Sequence, residues 1–231
     1  MALNIGGLQR FSLLDFPDRI SAIVFTNGCN FRCPFCHNRS LVRPNNGTTI
    51  LDTDVTGFLT TRIGKIDGVC ISGDEPLMQP DLPDFIRCIR DMGFQVKLDT
   101  NGSFPDRLEA LLNENLIDYV AMDIKNSPIK YDSTINCKYV PIDKIKKSAA
   151  LLLSGSVFYE FLTTCVREFH TEDDIVAIGE WLHGAVRYYL QNFRASDSIL
   201  ETISLHSFSS VELDTFASIA RKYFQTVEVR M

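Results

Sequence analysis

Along the chain, short apolar runs alternate with stretches whose apolar positions recur every three or four residues, the mark of buried strands separated by amphipathic helices. Leu3 to Phe11, interrupted by Gly6-Gly7, reads as an added hairpin or flap, and Ile20 to Phe25 as the next strand. Val55, Phe58, Leu59 and Ile63 share one face of a helix over Asp52 to Ile63. Gly68 to Ile71 is a short buried strand that ends at Ser72-Gly73-Asp74-Glu75-Pro76. The helix after it has Asp81 as N-cap, Pro83 in its first turn, and Leu82, Phe85, Ile86 and Ile89 on one face.

The alternation then repeats. Phe94 to Leu98 is a strand ending at Asp99-Thr100-Asn101-Gly102, Phe104 to Asn115 a helix, and Tyr119 to Ile124 a strand whose end carries Asp123 and Lys125. After a loop through Pro128, Cys137 and Pro141 come a helix over Ile142 to Leu153, a strand over Val157 to Thr163, and a helix over Thr171 to His183. Thr171-x-x-Asp174 has the form of a capping box for that last helix. Val186 to Phe193 is a further strand, residues 194–209 a serine-rich loop, and Val211 to Phe224 a final helix followed by Val227-Glu228-Val229.

Six βα-like units in succession predict an α/β fold, a partial (βα)6 TIM-like barrel of parallel strands. Residues 1–19 form an N-terminal β extension and 20–231 the barrel, within a single domain. Such sheets carry their chemistry at the C-terminal ends of the strands. The polar motifs after Phe25, Ile71, Leu98 and Ala121 therefore converge on one mouth.

Composition narrows the setting. At 231 residues the chain can bury a full core, and a net charge of −6 offers no basic surface for a phosphate backbone, so nucleic acid is not expected as a partner. No apolar run is long enough to cross a bilayer, and residues 1–10 lack a signal or transit pattern, so the expected location is the cytoplasm, with no membrane partner. Seven cysteines without a regular framework suit metal ligands or core positions rather than disulfides in a reducing compartment.

Three of the cysteines stand together in Gly28-Cys29-Asn30-Phe31-Arg32-Cys33-Pro34-Phe35-Cys36-His37-Asn38, spaced C-x3-C-x2-C directly after a strand. A cubane iron–sulfur cluster holds its irons by thiolates, so three local cysteines leave one iron open to a substrate. The competing reading is a zinc site using His37. Zinc motifs, however, usually pair two cysteines and bring the other ligands from farther away.

With Phe35 just before the last cysteine, this motif resembles the radical S-adenosylmethionine superfamily. The Cys36-His37-Asn38 ending, Leu98 to Gly102 and Asp123-x-Lys125 are similar to the glycyl-radical-enzyme activases. Gly7-x-Gln9 to Phe16-Pro17, the length, and Gly179-Glu180-Trp181 to Phe193-Arg194 most resemble the activating proteins of anaerobic ribonucleoside-triphosphate reductase. The resemblance covers nearly the whole chain. It implies that Cys29, Cys33 and Cys36 hold a single [4Fe-4S] cluster, whose open iron is chelated by S-adenosylmethionine. Phe35 would lie near the adenine, and Asn38 is counted with the cosubstrate-binding residues. Ser72, Gly73, Asp74 and Glu75 would receive the methionine ammonium. Asp99 and Asp123 would help bind a monovalent cation beside the methionine carboxylate, and Lys125 would meet the cosubstrate.

The implied reaction is reductive cleavage of the sulfonium to a 5′-deoxyadenosyl radical, which takes hydrogen from a glycine of a partner enzyme. No side-chain acid or base is assigned as catalytic. The partners implied are a glycyl-radical enzyme, the anaerobic ribonucleotide reductase in particular, and a low-potential electron donor such as flavodoxin or ferredoxin. The alternatives are a radical enzyme acting on a small molecule, such as a 7-carboxy-7-deazaguanine synthase, and a non-catalytic iron–sulfur or zinc protein.

Two residues depart from the family pattern: Asp74 stands where relatives have glycine, and Leu162 where an arginine is expected. Residue by residue, simpler roles are also available. Asp99 can cap the Asn101-Gly102 turn, and Asp123 with Lys125 can form a surface pair. Cys70 and Cys88 read as core residues, and His37 as a loop hydrogen-bonder.

Overall fold

The computed structural model describes residues 3–37, 50–137, 142–195 and 204–231. Among these residues eight strands form one sheet in the order of the chain. The first, β1 (Ile5–Ser12), runs antiparallel to β2 (Ser21–Thr26) and is the expected N-terminal extension. From β2 onward every pairing is parallel, through β3 (Gly68–Gly73), β4 (Gln95–Thr100), β5 (Tyr119–Asp123), β6 (Phe158–Cys165), β7 (Arg187–Asn192) and β8 (Thr226–Arg230). The helices between them are α1 (Asp52–Thr60), α2 (Leu82–Asp91), α3 (Pro105–Asn113), α4 (Tyr131–Ile135), α5 (Ile142–Leu153), α6 (Glu172–Trp181) and α7 (Ser210–Ala220). The (βα)6 repeat is present, and the Val227 to Val229 run adds a seventh parallel strand.

Period-two alternation separates the core from the site. On β4, Val96 and Leu98 are buried on the outer face, whereas Lys97 and Asp99 point inward and line a cavity. Ala121 and Asp123 of β5, Glu160, Leu162 and Thr164 of β6, Gln191 of β7 and Arg230 of β8 line the same cavity. The apolar core therefore lies between the outer face of the sheet and the helices, where Phe85, Ile86 and Ile89 of α2 and Leu213, Phe216 and Ala217 of α7 are buried. The inner face is left polar.

Several boundaries differ from the pattern-based expectation. Asp99 lies inside β4, not in a turn after it, because its side chain shares the inner face with Lys97 two residues earlier. The short helix α4 lies in the stretch around Pro128 that the sequence pattern presents as a loop. It has a single turn's worth of buried positions, Tyr131, Thr134 and Ile135, and ends at Asn136 in the left-handed conformation. The capping box at Thr171 and Asp174 forms as expected, and a second one joins Ser209 to Glu212. Asn38 and the part of the serine-rich loop at 196–203 lie outside the described residues. Among those described, no helix is long and apolar enough to cross a membrane.

Candidate active site

The cysteine loop leaves β2 at Thr26 and is clamped by residues that follow β3 and β4. The Gly28 N–H donates to Asp74 Oδ2 at 2.8 Å, the Glu75 N–H to Gly28 O at 3.2 Å, and Gln79 Nε2 to Asn27 O at 2.8 Å. Gly73 permits this approach. Its φ is +104°, and a Cβ there would stand 2.5 Å from the Thr26 backbone nitrogen. From β4, Asn101 Nδ2 donates to Asn30 Oδ1 at 3.0 Å and lies 3.7 Å from Cys29 Sγ, while Asn30 Nδ2 donates to Ser103 Oγ at 2.9 Å. The Cys36 N–H closes a turn onto Cys33 O at 3.0 Å, and the Arg32 N–H binds Ile135 O at the end of α4.

Cys33, Cys36, Phe35, His37, Ser72, Gly73, Asp74, Asp99, Asp123 and Lys125 all line one cavity of about 320 Å³ at the strand ends. Cys29 is not among the residues lining it; it is half-buried, with its sulfur accepting from the Phe31 N–H at 3.3 Å. Phe35 is held against Phe169 with ring centroids 5.7 Å apart, and His37 lies 5.6 Å from Phe193. Burial raises the pKa of Cys29 and pushes that of Cys33 up to about 12, the nearby Lys125 partly opposing the second shift. These thiols therefore need a metal's charge to ionise.

Asp123 and Lys125 form a pair, Oδ2 to Nζ 3.0 Å, with the ammonium mostly buried. Burial alone would lower the pKa of Lys125, but Asp123 and the Cys33 thiol more than offset this and hold it above its usual value. Asp99 is ion-paired with Lys97, whose ammonium is also 3.9 Å from Cys70 Sγ, and Cys70 Sγ is 3.5 Å from Asp99 Oδ2. Lys97, Cys70 and Asn101 are the site contacts that sequence reasoning missed. Lys97 carried a usable signal, a charged residue on the same strand face as Asp99. Cys70 is buried as expected but borders the charged interior, not a purely apolar core.

Glu75 is committed elsewhere. Its oxygens accept from the Leu77 N–H at 3.0 Å, Thr100 Oγ1 at 2.8 Å and the Asn101 N–H at 2.6 Å, and it is fully buried behind the cavity wall. Asp74 is the reverse case. Oδ2 is bonded to Gly28, whereas Oδ1 is buried with no hydrogen-bond partner among the described residues, and burial pushes the carboxyl pKa up to about 7. A buried acceptor without a donor, beside three thiols and a buried ammonium, fits a zwitterionic amino-acid ligand on a thiolate-held cluster. Among the described residues, no three His, Cys, Asp or Glu side chains converge closely enough for a single metal ion. A cubane carries its thiolates on separate irons, and so takes them from farther apart.

The family profile of the Radical SAM superfamily matches residues 23–182. The chain belongs to the radical SAM superfamily. Membership implies a [4Fe-4S] cluster and S-adenosylmethionine. Among its relatives, a Methanocaldococcus jannaschii protein, named as an inferred glycyl-radical enzyme activating enzyme, is 34% identical over 100% of this chain and 97% of its own length. A pyruvate formate-lyase-activating enzyme of Clostridium pasteurianum is 30% identical over 53% of this chain and 52% of its own. A 7-carboxy-7-deazaguanine synthase of Methanopyrus kandleri is 36% identical over 45% and 48%, respectively. Among solved structures, Streptococcus suis SuiB superposes on 89% of this chain and 47% of its own with a TM-score of 0.69 at 13% identity, which is a likeness of fold.

Proposed function

We propose that this radical SAM protein is an activase that removes a hydrogen atom from a glycine of a partner enzyme, the partner being anaerobic ribonucleoside-triphosphate reductase. The observation that carries the activase reading is the 34% identity, over essentially both full lengths, to a relative named for glycyl-radical enzyme activation. The choice of reductase rests on the Gly7 to Pro17 and Gly179 to Arg194 stretches. When bound, the cluster and S-adenosylmethionine supply one-electron chemistry and the hydrogen-abstracting radical.

The chain's own residues would bind and orient. Cys29, Cys33 and Cys36 hold the cluster, and Asp74 Oδ1 accepts from the methionine ammonium, with Ser72 and Gly73 beside it. Lys125 faces the carboxylate, and Phe35 flanks the adenine. Glu75 positions Asn101, and through it Cys29. A monovalent cation at Asp99 and Asp123 would have to share these carboxylates with Lys97 and Lys125. A low-potential flavodoxin or ferredoxin would supply the electron, in the cytoplasm.

The second reading is a radical SAM enzyme acting on a small polar molecule. It is favoured by the charged inner wall, where Lys97, Glu160 and Arg230 line the cavity. To decide between the two, the protein is reconstituted anaerobically with iron and sulfide, reduced with dithionite, and given S-adenosylmethionine with the reductase. A glycyl radical seen by electron paramagnetic resonance supports the activase. An intact cluster that yields 5′-deoxyadenosine but no protein radical overturns it.

A further inference from the structure

The substrate residue of an activase is a glycine, which has no side chain to grip, so contact with that residue itself uses its backbone. The sheet offers backbone groups at its two open edges, β1 and β8, and these differ. β1 is distorted by register irregularities between Ile5 and Gly7 and between Gln9 and Ser12, and Ile50 pairs with Ile5. Bulges, covering segments, prolines, charged residues and short strands are the usual ways of protecting an edge from strand addition. Among the described residues β8 has neither a bulge nor a covering segment; its protection is its short length and its charged residues, Glu228 and Arg230, the latter lining the inner cavity. It pairs with β7 in unbroken register over five positions and contains no proline, glycine or lysine.

The direction of the free groups follows from the ladder. The Thr226 N–H donates to Val186 O at 2.9 Å, so by alternation Glu228 and Arg230 also turn their backbone groups to β7. Val227 and Val229 turn theirs outward, and among the described residues no β-strand pairs with them. This edge also adjoins the site. Arg230 lines the cavity from β8, and Leu14, Asp15 and Pro17 line it from the β1–β2 connection, so the cavity reaches both sides of the gap in the barrel. Leu14 is 87% exposed there.

We propose that the open edge of β8 is the docking strand for the partner enzyme's glycine-bearing segment. The segment would add in extended form through the N–H and C=O groups of Val227 and Val229, which brings the glycine backbone to the mouth of the cavity. This rests on the activase reading and names the surface that reading requires. Strand addition suits the task, because main-chain hydrogen bonds give affinity without needing a side chain at the reacting residue.

The test uses Val229→Pro and Val229→Ala in the reconstituted full chain. Proline removes the outward N–H but no bond to β7, a placement that edge strands tolerate. Alanine shortens the side chain and keeps the N–H. Glycyl-radical formation is measured against reductase concentration, alongside 5′-deoxyadenosine formed without the reductase. The expected result is about a ten-fold rise in half-saturating reductase for Val229→Pro, as for one or two lost hydrogen bonds, with Val229→Ala near wild type and cleavage without the reductase unchanged in both.

In hydrogen exchange, the Val227 and Val229 amides become protected when the reductase is added. Equal half-saturation for the proline variant and wild type overturns the docking strand but leaves the activase reading standing. The docking strand is also overturned if the edge proves to be covered by a second copy, with the proline variant changing only self-association in light scattering. Failure of the wild-type protein to form any glycyl radical overturns both.

Discussion

Replacing Glu75 by glutamine separates two roles for this residue, direct contact with the cosubstrate and support of the wall behind it. In the structure the two carboxylate oxygens take three donors, Leu77 N–H, Thr100 Oγ1–H and Asn101 N–H. Glutamine keeps one acceptor oxygen and turns an NH2 group toward at least one of these donors. The loss is one charge-assisted hydrogen bond, worth about 1.5–3 kcal/mol, plus a buried N–H left unsatisfied at about 1–3 kcal/mol. Part of this is offset because the variant no longer buries a charge, the cost that pushes the Glu75 pKa up to about 7.

A net destabilisation of roughly 1–3 kcal/mol remains at pH 8, which for a chain of this size lowers Tm by about 2–12 °C. The assay is thermal unfolding of the metal-free protein, with S-adenosylmethionine binding to the reconstituted protein measured separately. If Glu75 instead held the ammonium directly, Tm would be unchanged and binding alone would weaken. That result would refute the supporting role.

Three further outcomes follow from the geometry. Asp74→Asn should weaken S-adenosylmethionine binding about ten-fold, through loss of a charged acceptor for the ammonium, and Asp74→Gly should do the same; tighter binding by the glycine variant in titration calorimetry would mean that Asp74 crowds the ligand. Gly73→Ala should cost at least about 2 kcal/mol in urea unfolding, since the new Cβ meets the Thr26 backbone at a φ of +104°, and an unchanged midpoint would contradict the close approach of β2 and β3. His170 is buried, accepts from the Val166 N–H and contacts Lys125 O at 2.9 Å through Nε2, and burial lowers its pKa. Below pH 6.5 the unfolded chain takes up a proton that the folded one resists, so this contribution is present above pH 6.5 and lost as pH falls; His170→Gln should flatten that part of the stability profile measured between pH 7 and 5.

The α/β repeat, the N-terminal extension and the convergence of strand ends were legible because strand and helix periods alternate cleanly, and because parallel sheets put their chemistry at one end. The cysteine loop was legible from spacing alone. What escaped depends on long-range partners. Glu75 looks like a ligand until Thr100 and Asn101, 25 and 26 residues away, are seen to use up its oxygens. In sequence Asp99 offers a turn-cap role beside its cation-binding one; β4 in fact continues through it, and Lys97 is its ion-pair partner. Asn101 belongs to a turn in sequence, yet it reaches Cys29 from 72 positions away. The short helix α4 has too few residues for a periodic pattern, and its position against Arg32 comes from tertiary packing.

Hydrogen transfer from the partner's glycine is tested most directly with label. The anaerobic reductase is prepared with glycine deuterated at the α-carbon and incubated with the reconstituted, reduced protein and S-adenosylmethionine, and the 5′-deoxyadenosine is analysed by mass spectrometry. Activation of a glycyl-radical enzyme predicts deuterium in the 5′-deoxyadenosine, in step with the glycyl radical. Unlabelled 5′-deoxyadenosine from a protein with an intact cluster would contradict it.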